Sequence, residues 1–207
     1  PGIDYIRKLT LLTRRELQEA LRVEFGPRNI LVTFHPATLE SEEPGRQFSE
    51  VLSAISSFGS EMGVIFTKTN ADTSGRVINR MIDDYVSQTS NAHCFTSLGQ
   101  VRYLSLINEM DAVVGNSSSG VYEVPSLKKP TVNIGDRQKG RILAGSVINC
   151  APVAGDIRAA VEKAFSMDCT GVENPYGDGH ASEKIAKVLK SIESPRNLVR
   201  KTFFGIK

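Results

Sequence analysis

Tryptophan is missing from this 207-residue chain, and cysteine and histidine occur only three times each. Cys94, Cys150 and Cys169 are odd in number and far apart, so neither a disulfide framework nor a paired-cysteine zinc site fits them. Reduced thiols in a cytoplasmic protein are the expectation. His35, His93 and His180 are equally scattered, and no metal site is expected. An excess of charge is lacking too: 25 Lys and Arg stand against 23 Asp and Glu. A balance of that kind draws the chain neither to nucleic acid nor to a membrane surface. No apolar run nears the roughly 18 residues of a spanning helix, and the start carries no signal-peptide stretch. The first residue is Pro1 rather than Met, as expected of a trimmed product or of a piece of something longer.

What is present is enough apolar sequence, 40% of residues, for a sizeable core. Thr13-Arg14-Arg15-Glu16 has the spacing of a capping box, followed by Leu17, Leu21 and Val23 on a helix face. Asn29 to Phe34 reads as a strand stopped by His35-Pro36. A loop with Glu40, Glu42 and Glu43 leads to a helix near 45–58, with Phe48, Val51, Leu52 and Ile55 inward. Gly63–Thr67 is the next strand, and Val77, Ile78, Met81, Ile82 and Tyr85 share one helix face. Strands follow at Ala92–Phe95, Asp111–Val114, Thr131–Ile134 and Val147–Asn149. Helices are expected over Gly99–Met110, Ser118–Leu127, 155–166 and 180–192. Short apolar strands alternating with amphipathic helices imply an α/β fold, a doubly wound parallel sheet covered on both faces.

In such a sheet ligands bind beyond the carboxyl ends of the strands. The polar clusters fall at those ends: His35, then Asn70 and Asp72, then Thr96-Ser97-Leu98, then Asn116 to Ser119, then Gly135-Asp136-Arg137. Gly115-Asn116-Ser117-Ser118-Ser119-Gly120 admits two readings, a helix cap that satisfies its own amides or an anion site built on small residues. Glu123 is either a solvated carboxylate or the acceptor for two ribose hydroxyls. Arg137 and Arg141 are either surface cations or partners of a diphosphate. Neither a P-loop nor a G-x-G-x-x-G is present.

Gly115 to Arg141, GNSSSGVYEVPSLKKPTVNIGDRQKGR, resembles the nucleotide-binding signature of the hydrolysing UDP-N-acetylglucosamine 2-epimerases. TFHPAT around His35, Asn70-Ala71-Asp72 and NPYGDGHASEKI near the end match that family in the same order. The resemblance implies one Rossmann-like domain of a two-domain glycosyltransferase-B architecture. Residues 1–193 would be the C-terminal nucleotide-binding domain, and 194–207, with Phe203-Phe204, a tail packed on a missing N-terminal domain. Ser117 and Ser118 would then bind the diphosphate, Glu123 the ribose and Arg137 the phosphates. Backbone near Ser97 and Leu98 would hold the uracil, Asn70 would line the cleft, and His35 would be catalytic beside the sugar–phosphate bond.

The resemblance also implies release of UDP and N-acetylmannosamine without a cofactor, the UDP moiety being the ligand, in a cytoplasmic enzyme of sialic acid biosynthesis. The implied partners are the UDP-sugar, the N-terminal domain and, at full length, further copies of the protein. A glycosyltransferase of the same fold and a stand-alone UDP-sugar-binding module are the alternatives.

Overall fold

The computed structural model describes residues 2–36, 44–69 and 73–199. The Glu40–Glu43 loop, Asn70, Asp72 and the Phe203-Phe204 end of the tail lie outside the described residues. Six parallel strands form one sheet: β1 (Arg28–Thr33), β2 (Met62–Thr67), β3 (Ala92–Phe95), β4 (Ala112–Gly115), β5 (Thr131–Ile134) and β6 (Val147–Cys150). Their spatial order is β3-β2-β1-β4-β5-β6, with register such as Ile30 opposite Val64 on one side and Ala112 on the other. Helices α1 (Arg14–Leu21), α2 (Pro44–Ser56), α3 (Thr73–Gln88), α4 (Gly99–Glu109), α5 (Ser119–Tyr122), α6 (Ala154–Phe165) and α7 (Ala181–Lys190) accompany them. The architecture is Rossmann-like α/β.

Period-two alternation sends the side chains of one strand to opposite layers. Ile30, Val32 and Phe34 pack with Phe48 and Ile55 of α2, Ile78 and Ile82 of α3, and Ile157 and Val161 of α6. Leu31, Ile65 and Val113 face the other layer, with Leu17 and Leu21 of α1 and Leu104 and Ile107 of α4. Burial on both faces is why the strands read as unbroken apolar runs. The capping box at Thr13 forms, with Glu16 N–H donating to Thr13 Oγ1 and Thr13 N–H to Glu16 Oε2.

Three expectations shift. Val77 is about half exposed rather than part of the inward face of α3. The first strand ends at Thr33, two residues before His35. The helix read over Ser118–Leu127 is broken: α5 has four residues, and a 3-10 turn (Val124–Leu127) follows it. Pro125 has no N–H to offer the Val121 carbonyl, so the α-helical ladder cannot continue through it.

Two helices near the end differ in their surroundings. α6 buries Ile157, Ala160, Val161 and Ala164. α7 buries nothing among the described residues, although Ile185, Val188 and Leu189 form an apolar stripe along it. α7 is held at its start by Asp4, whose carboxylate accepts from Ala181 N–H at 3.1 Å and Ser182 N–H at 2.5 Å. The Ser182 hydroxyl first, then the Ser182 and Ala181 amides, lower the Asp4 pKa to about 2.

Candidate functional site

The chain runs outward from β1 to β3, then returns to the other side of β1 to lay down β4. That reversal opens a crevice between the carboxyl ends of β1 and β4, where open α/β sheets take their ligands. Gly115 closes the floor of the crevice. Its φ is +137°, and a Cβ there would stand 1.9 Å from the Thr33 carbonyl oxygen, so no other residue fits.

Asn116, 2% exposed, ties the two strand ends together. His35 N–H donates to Asn116 Oδ1 at 2.7 Å, and Asn116 Nδ2 donates to the His35 carbonyl at 2.8 Å. The main-chain carbonyl of the same asparagine accepts from Arg137 Nη1 at 3.0 Å and from Gln138 Nε2 at 2.7 Å. His35 Nδ1 lies 2.8 Å from Thr69 Oγ1, at the end of β2. Thr69 is gripped in the same way: its N–H donates to Asn79 Oδ1 at 2.9 Å, and Asn79 Nδ2 donates to its carbonyl at 3.1 Å. Two asparagines from different elements thus clamp the two halves of one hydrogen bond.

The serine turn follows directly. Ser119 N–H donates to Ser117 Oγ at 3.3 Å and Gly120 N–H to the Ser117 carbonyl at 3.2 Å. Among the described residues, the amides of Ser117 and Ser118 make no hydrogen bond. Because α5 is one turn long, the dipole expected from a ten-residue helix is largely gone. An anion placed here would meet individual N–H groups, hydroxyls and guanidinium ions instead.

Arg137 supplies one such ion beside the turn. Burial and the neighbouring Arg141 cation both lower its pKa. Among the described residues neither arginine has an acidic partner, whereas Asp136 is taken by Lys139 at 2.7 Å. Two unneutralised guanidinium ions near each other are unfavourable until an anion joins them. Arg141 lies over the Tyr122 ring at 5.1 Å, and Tyr122 packs on Tyr176 with centroids 4.2 Å apart. Asn174 of NPYGDGH braces this corner by donating to the Tyr122 carbonyl at 2.7 Å.

Glu123 sits at the junction of α5 and the 3-10 turn. Its Oε1 accepts from the hydroxyl of Tyr5, 118 residues earlier, and both line an open cavity of about 490 Å³ with Ser118 and Tyr176. Burial first, then Glu123, raises the Tyr5 pKa to about 12, so the phenol stays a donor. A second cavity, of about 900 Å³, opens beyond β5 and β6, lined by Asn133, Asn149, Gln138 and Arg141. Gln138 faces it and, with Nε2 committed to Asn116, leaves its buried Oε1 without a partner. Ser97 is exposed and its Oγ accepts from Gly99 N–H at 3.4 Å. Leu98 is 4% exposed in the core, and its carbonyl accepts from Arg102 Nε at 3.0 Å.

The crevice therefore brings together His35, Ser117, Ser118 and Arg137, with Glu123 one short helix away. Ser97 and Leu98 follow β3, two strands out from β1. Asn116, Asn79 and Tyr5 carry contacts that the sequence did not announce. Among the described residues no group of three or more His, Cys, Asp or Glu could hold a metal ion, and no helix is long and apolar enough to cross a membrane.

Comparison with known proteins places the chain in a family and a fold. A GDP/UDP-N,N'-diacetylbacillosamine 2-epimerase (hydrolyzing) of Campylobacter jejuni is 35% identical over 164 residues, 79% of this chain and 42% of that protein. The polysialic acid biosynthesis protein P7 of Escherichia coli is 34% identical over 196 residues, 91% of this chain and 50% of that one. The chain spans about half the length of the curated relatives it matches. Among solved structures, S. aureus MnaA in a co-structure with UDP superposes with a TM-score of 0.69 at 16% identity, covering 99% of this chain and 56% of that one. The Neisseria meningitidis UDP-GlcNAc 2-epimerase bound to UDP-GlcNAc does so at 0.66 and 20%, covering 92% and 53%. Identities this low speak for the fold alone. The model of the UDP-N-acetylglucosamine 2-epimerase family, however, matches residues 1–190, and the chain belongs to that family.

Proposed function

We propose that this chain is the nucleotide-binding half of a hydrolysing UDP-N-acetylglucosamine 2-epimerase, the C-terminal of two domains in a glycosyltransferase-B arrangement. The observation that carries the reading is the convergence, beside His35, of two unengaged amides (Ser117 and Ser118) with two unneutralised arginines (Arg137 and Arg141). A diphosphate supplies the charge and the acceptors that this corner lacks. Glu123, half-buried at the far end of α5, would accept the ribose hydroxyls, and backbone near Ser97-Leu98 would meet the uracil. Asn70 would line the cleft. The exposed stripe of Ile185, Val188 and Leu189 on α7 supports a second body packed against this one.

In the reaction, the C1–O bond to the diphosphate breaks and UDP departs while C2 gives up its proton. Water then adds across the resulting double bond and returns the C2 proton on the opposite face, giving N-acetylmannosamine. Elimination and addition together cause no net oxidation, so the sequence of steps calls for no redox cofactor. His35, beside the departing phosphate, would move a proton at that bond, and the other domain would supply the remaining acid and base at C2. The names of the Campylobacter jejuni and Legionella pneumophila relatives point to a related N-acetylated sugar as a second substrate to try.

The test is product analysis with the full-length polypeptide. Free UDP and N-acetylmannosamine are expected from UDP-N-acetylglucosamine, and UDP-N,N'-diacetylbacillosamine is run in parallel. A sugar transferred to an acceptor would make the protein a glycosyltransferase, and binding without turnover would make it a sensor. The 207-residue chain alone is expected to bind UDP weakly and to release none from the sugar nucleotide, since closure by the second wall is missing.

A further inference from the structure

We propose that Asn116 and Asn79 are positioning residues for His35, one holding its peptide and the other holding the partner of its ring. Asn116 brackets the His35 peptide with two bonds of 2.7 and 2.8 Å. Asn79, on α3, brackets the Thr69 peptide with bonds of 2.9 and 3.1 Å. Thr69 Oγ1 in turn lies 2.8 Å from His35 Nδ1. His35 and Thr69 both stand just past strand ends, where no ladder fixes the backbone. An amide side chain with one acceptor and one donor is the group that can replace the missing strand neighbour. The same device appears at the other end of β1, where Asn29 brackets Gly26 with two bonds of 2.9 Å. There it only shapes a turn; at His35 it fixes the place of a reacting group.

Asn116 has a second attribute that makes the proposal testable. Its contacts to His35 come from the side chain, whereas those to Arg137 and Gln138 come from the main-chain carbonyl. Substitution by alanine removes the first pair and keeps the second. Asn79 touches neither arginine nor the serine turn. Both positions should therefore separate turnover from nucleotide affinity.

The catalytic consequence rests on the epimerase reading; the placement of the ring rests on geometry alone. In the full-length protein, Asn116→Ala and Asn79→Ala are expected to lower kcat about 10–100-fold, as a reacting group displaced by a fraction of an ångström does. UDP affinity, by titration calorimetry, should stay within about threefold. In a His35→Ala background neither change should lower kcat further, because groups acting through one residue are not additive. The Asn116→Asp variant should regain activity relative to wild type as pH falls, since a protonated carboxyl again offers a donor to the His35 carbonyl. Additive losses, or UDP affinity falling in parallel with kcat, would overturn the proposal. If the wild-type protein turns over no UDP-sugar, the functional reading fails and the placement is read by NMR. The His35 ring resonances must then move in both alanine variants while those of His180 do not, and unmoved His35 resonances would refute it.

Discussion

The turn after β4 has two arms that are built differently. The inner arm, Gly115-Asn116, is closed on every side: a backbone that admits only glycine, then an asparagine with four hydrogen bonds from its side chain and carbonyl. The outer arm, Ser118 to Glu123, is a single helical turn without a side-chain cap. Its Glu123 is steadied by a tyrosine from the far end of the sequence. The inner arm is over-determined by the sheet, so its geometry does not adjust. The outer arm takes its geometry from packed neighbours and can shift. Chemistry that tolerates little displacement belongs on the first, and adjustable affinity on the second.

The sharpest way to break the contrast is Gly115→Ala. A methyl group 1.9 Å from the Thr33 carbonyl, at φ +137°, should destabilise the fold by about 3 kcal/mol or more, read from the urea midpoint. A midpoint unchanged within error would mean that the inner arm has slack. Next comes His35→Ala, expected to reduce turnover of the full-length enzyme by about 10²–10⁴ with little change in UDP affinity. Turnover within a few-fold of wild type would leave the histidine a packing role.

On the outer arm, Glu123→Ala should weaken UDP binding by about tenfold or more, the worth of one or two charge-assisted hydrogen bonds. A 2′,3′-dideoxy analogue should lose less from the same substitution, and equal losses by calorimetry would remove the ribose assignment. The smallest effect lies farther out, at the Asp4 clasp on α7. Its folded pKa, about 2, is below the ordinary aspartate value of 3.8. The clasp therefore contributes fully above about pH 3.8 and is lost as pH falls toward 2. Hydrogen exchange at the start of α7 should accelerate over that window, and Asp4→Asn should flatten the dependence.

Much of the scaffold was legible in the sequence because strand periodicity and strand-end polar clusters are local signals. Ala92–Phe95 and Thr131–Ile134 are found where the pattern puts them. Pro125 was a readable stop inside the Ser118–Leu127 helix, and the backbone followed the proline. The asparagine brackets were not legible, because an asparagine at a strand end looks like any cap until its partner peptide is known. Tyr5 gave no signal at all. Its meeting with Glu123 depends on where the segment before α1 crosses the sheet edge, and no local rule states that.

The reversal of strand order between β3 and β4 also sets the order in which the molecule can be made. As the polypeptide grows, β1, β2 and β3 can pair with one another, yet the His35 peptide waits 81 residues for the side chain of Asn116. Arg137 and Gln138 come later still. A sheet whose central pairing is this distant in sequence pays its loop-closure entropy before the contact forms, which slows that step. On the proposed function, nucleotide affinity arises only when the far half of the sheet docks. A fluorescent UDP analogue would stay dark through the early stages of refolding and brighten at the docking of β4 and β5, timing that step in the assembly of the fold.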